Sequence, residues 1–395
     1  MNSQTPVVSP PSRRKADGVG PATPADARPT SLTCGIEEEY LLVDAVTLQP
    51  APVATEVREI AAAEGLETQA EGTLHQVEVA TAAAGSVLEL RDELLRARGI
   101  LTRAAAALGC RLVAAAGPVL PPAEPLRMNF DPPRRRNRIE RFGLLSENLV
   151  SCGRHVHVGT LSRARAVAAS NTIRQWIPTL IALSANSPFW KGHDTGHATW
   201  RTVAWSSWPS AGLPPHLTSV DHYEQCVRTL IGSGAALDAK MVYWDVRPGT
   251  GWPTVETRAL DVSANLGLSA ALAALCRALV ASSLRQEADG ARHPTYPEEL
   301  LRLARWRACR DGLEGYALDP RNGLETPALA LVDALVDHLA EPLASTGDLD
   351  HVVATVERLR RHGSGAARQR AAFARRGRLE DVVRLLADET EHGSA

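Results

Sequence analysis

Four short apolar runs in this chain each carry two polar residues spaced by two, a pattern that commits the chain to a sheet with one chemically loaded face. They are Gly35-Ile-Glu-Glu-Glu-Tyr40 with Glu37 and Glu39, and His75-Gln-Val-Glu-Val-Ala-Thr81 with Gln76 and Glu78. The others are Cys152-Gly-Arg-His-Val-His-Val-Gly159 with His155 and His157, and Pro253-Thr-Val-Glu-Thr-Arg258 with Glu256 and Arg258. Successive strand side chains point to opposite faces, so each pair shares a face while residues such as Val156 and Val77 take the other. If the four strands are neighbours in one sheet, the pairs build a site.

The rest of the composition narrows the setting. A chain of 395 residues that is 44% hydrophobic can bury a large core. Its formal net charge of −2 argues against a nucleic-acid or membrane-surface binder, whose electrostatic footprint is normally basic. Six cysteines (34, 110, 152, 226, 276 and 309) lie far apart with no C-x-x-C pair. That favours reduced thiols and a cytoplasmic location over a disulfide framework or zinc ribbon. Residues 1–30 are rich in Pro, Ser and Arg without the apolar core of a signal peptide. They are expected to be a disordered tail ahead of one catalytic domain, residues 31–395, with a helical C-terminal part. The apolar stretch Leu266–Leu284 contains Arg277 and reads as a buried helix rather than a membrane span.

In chain order, strands are expected over 32–43, 74–80, 111–116, 153–159, 241–246 and 254–258. Helices are expected over 53–63, 87–108, 134–149, a run centred on Ile173 to Ile181, 221–231, 266–284, 297–308, 327–343, 348–361 and 379–388. Gly109 closes the second helix in the manner of a C-terminal glycine. The run Arg134, Arg135, Arg136, Arg138 and Arg141 invites a phosphate-binding reading, but a solvated helix face is the expected one, as it is for the arginines of 358–378. Residues 189–215, with four tryptophans and Arg201, read as a long irregular rim or lid over a substrate.

Three or four carboxylates with one or two imidazoles make an oxygen-rich donor set with some nitrogen, suited to Mg²⁺ or Mn²⁺ more than to zinc. Magnesium commonly enters with nucleotide phosphates, and Arg258 and Arg247 could then neutralise a transferring phosphoryl group. A hydrolase using the same face without nucleotide, and a silent binding homologue, are the rival readings. Retention of so costly a carboxylate cluster speaks against the second rival.

These runs, with Leu183-Ser-Ala-Asn-Ser-Pro-Phe-Trp190, Asp194-Thr-Gly196 and Trp244-Asp-Val-Arg-Pro248, resemble the carboxylate-amine ligase family, also called type 2 glutamate-cysteine ligases and related to glutamine synthetase. The resemblance runs from about Leu32 to Glu391. It implies an α+β, glutamine synthetase-like fold: a curved, mostly antiparallel sheet with helices on its convex face and ATP, divalent metal and acid substrate on the other. By motif, Glu37, Glu39, Glu78, His155 and Glu256 are expected as metal ligands, and Arg258, Arg247 and Glu78 as catalytic groups. His157, Arg201, Asn186 and Arg154 are expected around substrate or ATP. The implied reaction joins the γ-carboxylate of glutamate to an amine through an acyl phosphate. The chain departs from the family pattern at Arg135, Arg154, His197, Trp200 and Leu303-Ala304, around the acid and amine pocket. The acceptor is therefore left open between cysteine and another small amino acid, and self-association is left open too.

Overall fold

The computed structural model describes residues 32–130, 133–147, 150–290 and 295–393; the expected tail lies outside them. The chain runs β1 (Cys34–Asp44), α1 (Ala54–Ala63), β2 (Gln69–Ala70), β3 (Gln76–Ala80), α2 (Val87–Ala107) and β4 (Cys110–Val113). Next come α3 (Pro133–Phe142), α4 (Leu144–Glu147), β5 (Gly153–Gly159), α5 (Arg163–Ser184), the hairpin β6 (Phe189–Trp190) and β7 (His193–Asp194), α6 (Trp200–Trp205) and α7 (Val220–Gly232). Beyond these lie β8 (Val246–Pro248), β9 (Thr254–Asp261), α8 (Leu266–Ala288), α9 (Glu298–Asp311) and the hairpin β10 (Tyr316–Leu318) and β11 (Glu325–Pro327). The chain ends in α10 (Ala328–His338), α11 (Ala340–Ser345), α12 (Leu349–His362), α13 (Gly365–Arg376) and α14 (Leu379–His392). Local chemistry sets many of these ends. Ser86, Ser162 and Asn265 cap α2, α5 and α8 through their side-chain oxygens, and Gly109 comes just after α2 with φ +69°.

The main sheet has the order β2-β3-β1-β5-β9-β8, every pairing antiparallel. β1 is long enough to serve two partners along one edge. Its first residues pair with β5, and Leu41–Asp44 pair with β4. Ile36, Leu42, Val77, Val79, Val156 and Val158 belong to one continuous core with Leu90, Leu94, Ile173, Ile177, Leu272 and Leu279 of α2, α5 and α8. The other face is left for polar groups, so the expected fold class is borne out.

α8 is long and apolar enough to cross a membrane, yet 83% of its apolar window is buried inside the protein. It is a core helix, and its buried Arg277 pairs with Asp348 ahead of α12.

Two residues expected at the substrate lie on the wrong side of the sheet or beyond its end. Arg154 alternates with Gly153 and His155, so strand parity turns it into the helix-facing layer. There it is fully buried, with Nε donating to Glu38 Oε1 at 2.8 Å. Arg98 and the Tyr40 hydroxyl donate to Glu38 Oε2 at 2.6 and 2.5 Å, and Ser269 Oγ donates to Oε1 at 2.8 Å. A buried carboxylate must be paired and hydrogen-bonded, and this one ties β1 and β5 to α2 and α8. Asn186 is also a structural tie. Its amide donates to the carbonyls of Ala114 and Val262 and accepts from Gln369 of α13.

Several element boundaries also differ from expectation. Gly143, with φ +49°, splits the single helix expected over 134–149 into α3 and α4. The helix expected over 327–343 is two, α10 and α11, and the β10–β11 hairpin went unforeseen. Met241 closes a 3₁₀ turn rather than opening a strand, which places Arg247 inside β8 instead of at a strand exit.

Candidate active site

The period-two pairs meet because the sheet register sets them side by side. Glu39 lies opposite Glu78, Glu37 opposite His155, and Glu256 opposite His157 on one side and Arg247 on the other. Directly opposed residues have Cβ atoms about 4.5–5.5 Å apart, within reach of one another's polar ends. The result is a cavity of about 480 Å³ lined by these residues together with Glu71, Arg201, Trp205, Arg258 and others.

Two clusters occupy its floor. In the first, ligand atoms of Glu37, His157 and Glu256 all lie within 4.8 Å of one another. His155 Nδ1 and His157 Nε2 approach the two Glu37 oxygens at 3.0 and 3.3 Å. Burial would raise the Glu37 acid, but the hydrogen bonds and charge of the two imidazoles outweigh it and hold the carboxyl well below the usual range. For His155, burial and the nearby Arg258 charge prevail and push the imidazole down to about 4. His157 goes the other way, because Glu37 and Glu256 outweigh its burial. Glu256 is held in turn by Arg247, whose Nε donates at 2.8 Å, and by Arg258. The two arginines overcome the effect of burial and keep Glu256 ionised.

The second cluster is Glu39, Glu71 and Glu78, again within 4.8 Å. Among the described residues none of the three is in an ion pair. Gly153 N–H donates to Glu39 Oε2 at 2.7 Å. Burial first, then the Glu71 carboxyl and the neighbouring acids, push Glu78 far above the usual carboxylate range; burial and Glu71 push Glu39 up too. Arg201 and Arg258 act on Glu39 without pairing with it, and an all-oxygen set of three converging carboxylates fits a hard divalent ion. The first cluster, two carboxylates and an imidazole, fits one as well.

Of the expected ligands, Glu37 and Glu256 fall in one cluster and Glu39 and Glu78 in the other. His157, expected around substrate or ATP, falls in the first cluster, while His155, expected as a ligand, hydrogen-bonds Glu37. Glu71 was missed. It becomes the partner of Glu78 only because β2 folds back on β3 with Gln69 opposite Glu78. The parity of residue 71 with 69 was the available signal, but nothing in sequence announced so short a strand.

Arg201 reaches the floor from α6. It is buried, its Nη groups donate at 3.3–3.4 Å to the carbonyls of Arg258 and Leu260, and its Nε has no partner among the described residues. A Cβ on Gly153 would lie 2.1 Å from Arg201 Nη2, so the missing side chain at 153 makes room for the guanidinium. Arg247 is fixed more tightly, with Nη1 donating to the Val242 and Lys240 carbonyls at 2.7 and 3.1 Å.

The expected rim over 189–215 contributes through α6 and the turn at its C-terminal end. Trp205 Nε1 donates to Ser151 Oγ at 2.8 Å, and Trp205 and Trp208 line the cavity with Tyr243. Arginines expected on a solvated face also enter the wall. Arg134 pairs with Asp238, Arg135 donates to the Ala70 carbonyl, and Arg138 lies against Gly72.

The family model described as Glutamate-cysteine ligase family 2 matches residues 33–385. A provisionally named glutamate–cysteine ligase 2-2 of Mycobacterium sp. (strain KMS) is 43% identical over 360 residues, covering 91% of this chain and 98% of the relative. Among solved structures, glutamate–cysteine ligase from Francisella tularensis in complex with AMP is similar with a TM-score of 0.70 at 12% identity, over 92% of this chain and 89% of that one. A bifunctional glutathione synthetase from Pasteurella multocida is similar at a TM-score of 0.66 and 14% identity, over 91% of this chain and 52% of that one.

Proposed function

Because this chain belongs to glutamate-cysteine ligase family 2, we propose that it is an ATP-dependent ligase joining the γ-carboxylate of glutamate to the amine of a small L-amino acid, cysteine or another. The observation that carries this reading is the convergence of acids, imidazoles and guanidinium groups from five adjacent strands on one cavity. A carboxylate oxygen attacks the γ-phosphorus and ADP leaves; the amine nitrogen then attacks the acyl carbon, expelling phosphate and losing a proton. Transfer of this kind depends mostly on positioning and charge stabilisation.

Glu37, His157 and Glu256, with His155 behind Glu37, would hold one divalent cation, and Glu39, Glu71 and Glu78 a second; bound there, such ions screen and orient phosphate oxygens. Arg258 lines the cavity with its guanidinium paired to Glu256 and close to the charges of Glu37 and Glu39, at the centre of both clusters, so it is the group best placed to stabilise charge on the transferring phosphoryl. Arg247 fixes Glu256 and supports that position. Arg201, buried and with no partner for Nε among the described residues, is suited to a carboxylate of the acid substrate.

ADP release measured across a matrix of carboxylic acids and amines, with product mass confirmed, tests the reading. ADP should form only when glutamate and an amine are both present, with one amide made per ADP. Turnover without ATP would replace the reading with metal-dependent hydrolysis, and absence of any turnover with a binding role.

A further inference from the structure

Trp252 stands at the tip of the β8–β9 hairpin, lines the cavity mouth, and is 78% exposed. Burying a side chain of this size is strongly favourable, so a bare indole beside a cavity marks a surface for something that binds there. The other aromatic rings of the cavity face one another. Trp205 and Tyr243 are 4.7 Å apart, Trp208 and Tyr243 5.4 Å, and Trp205 and Trp208 5.9 Å. Among the described residues, Trp252 meets no other ring and no guanidinium.

The base of the hairpin is fixed while its tip is open. Gly249 N–H donates to the Thr254 carbonyl at 2.7 Å, Arg163 Nη1 of α5 donates to the Gly249 carbonyl at 3.0 Å, and Thr160 donates to the Pro253 carbonyl through N–H at 2.8 Å and Oγ1 at 2.7 Å. A Cβ on Gly249 would lie 2.3 Å from Thr254 Oγ1, so the turn is closed as tightly as glycine allows. The backbone that carries the indole is thus held at the hairpin base, beside the cavity.

We propose that Trp252 is the platform on which the nucleobase of the nucleotide substrate stacks. The inference rests on the ATP-dependent reading of the site and adds the residue that reads the base. Glu256, Arg258 and Arg247 mark where phosphate charge is held, and Trp252 lies four residues before Glu256, at most about 14 Å of extended chain. That matches the reach of an extended nucleotide from its terminal phosphate to its base, running from the floor to the rim. Stacking is sequence-tolerant but stronger for larger ring systems, so purine nucleotides gain more from this platform than pyrimidine ones.

The test compares Trp252→Ala and Trp252→Phe with the wild-type full chain. ADP binding is followed by isothermal titration and by quenching of tryptophan fluorescence, and KM is measured for ATP and for CTP. Trp252→Ala should weaken ADP binding and raise KM for ATP about ten- to a hundredfold, change kcat and the KM of the acid far less, and lose most of the ATP-over-CTP preference and of the quenching. Trp252→Phe should stay within about threefold of wild type. ADP binding to Trp252→Ala within twofold of wild type would overturn the proposal while leaving the ligase reading intact. A wild-type protein that turns over without any nucleotide would overturn the ligase reading itself, and this inference with it.

Discussion

Glu71 is the residue on which the second cluster turns, since its carboxyl forms the hydrogen bond and supplies the charge that lift Glu78 beyond what burial does. Glu71→Gln should reduce ATP-dependent ADP release at least a hundredfold at unchanged far-UV circular dichroism, because an amide keeps the shape but removes one oxygen ligand and its charge. Near-wild-type release would remove Glu71 from the site. A second residue-scale effect concerns His75, buried, with no partner for Nδ1 among the described residues, and pushed down to about 4 by burial and the Arg127 charge. The unfolded chain takes up this proton near the ordinary histidine value of 6.5, the folded one only near 4. Stability from this group is therefore intact above pH 6.5 and falls as pH drops toward 4, by at most on the order of 3 kcal/mol. His155, also pushed down to about 4, contributes in the same direction. Urea unfolding at about pH 7 and pH 4.5 should show a shallower pH dependence in His75→Asn, by close to one proton; parallel curves for the two proteins would count against it. Residue identity was legible here and partnership was not. Spacing put Glu37, Glu39, Glu78 and Glu256 on one face and the family resemblance suggested their role, but which imidazole joins Glu37 and Glu256 depended on where the side chains end.

At the scale of elements, β5 carries three different jobs on consecutive residues. His155 and His157 face the cavity, Arg154 faces the helices, and Gly153 leaves a gap that Arg201 of α6 fills. In Gly153→Ala the atoms nearest the new methyl belong to the end of the Arg201 side chain, so the chain should fold with little loss of stability while Arg201 is displaced. The expected signature is a KM for the acid substrate raised about tenfold with the KM for ATP nearly unchanged; equal change in both would separate Arg201 from the acid. Arg154→Leu should do the reverse, costing about 3 kcal/mol by breaking the buried Glu38 network while the folded protein keeps its KM values. Denaturant unfolding together with steady-state kinetics distinguishes the two variants. Strand parity already contained the Arg154 answer, since residues 153, 155 and 157 share a face and 154 cannot. Its place at a departure from the family pattern suggested the substrate pocket instead, and parity overrules that expectation. Arg134, Arg135 and Arg138 illustrate the opposite limit: a helix rich in arginine looks solvated until one knows what lies beneath it.

For the molecule as a whole, the two acidic clusters offer donor sets suited to divalent cations, and a divalent cation bound only by the folded state stabilises it by mass action. Added Mg²⁺ or Mn²⁺ should therefore stabilise chelator-treated protein, by about 2.7 kcal/mol at a hundredfold excess over Kd, and raise its melting temperature. The double variant Glu71→Gln, Glu256→Gln should lose that rise, and an equal rise in it would place the ions elsewhere. By itself the sequence determined the period-two pairs, the apolar faces opposite them and the family, because alternation and motif order are properties of neighbouring residues. Only the tertiary structure decided that Glu71 joins Glu39 and Glu78, that His157 lies between Glu37 and Glu256, and that Arg154 and Asn186 are structural ties. Those outcomes are set by sheet register and by helices arriving from more than a hundred residues away in sequence, where no local periodicity reaches.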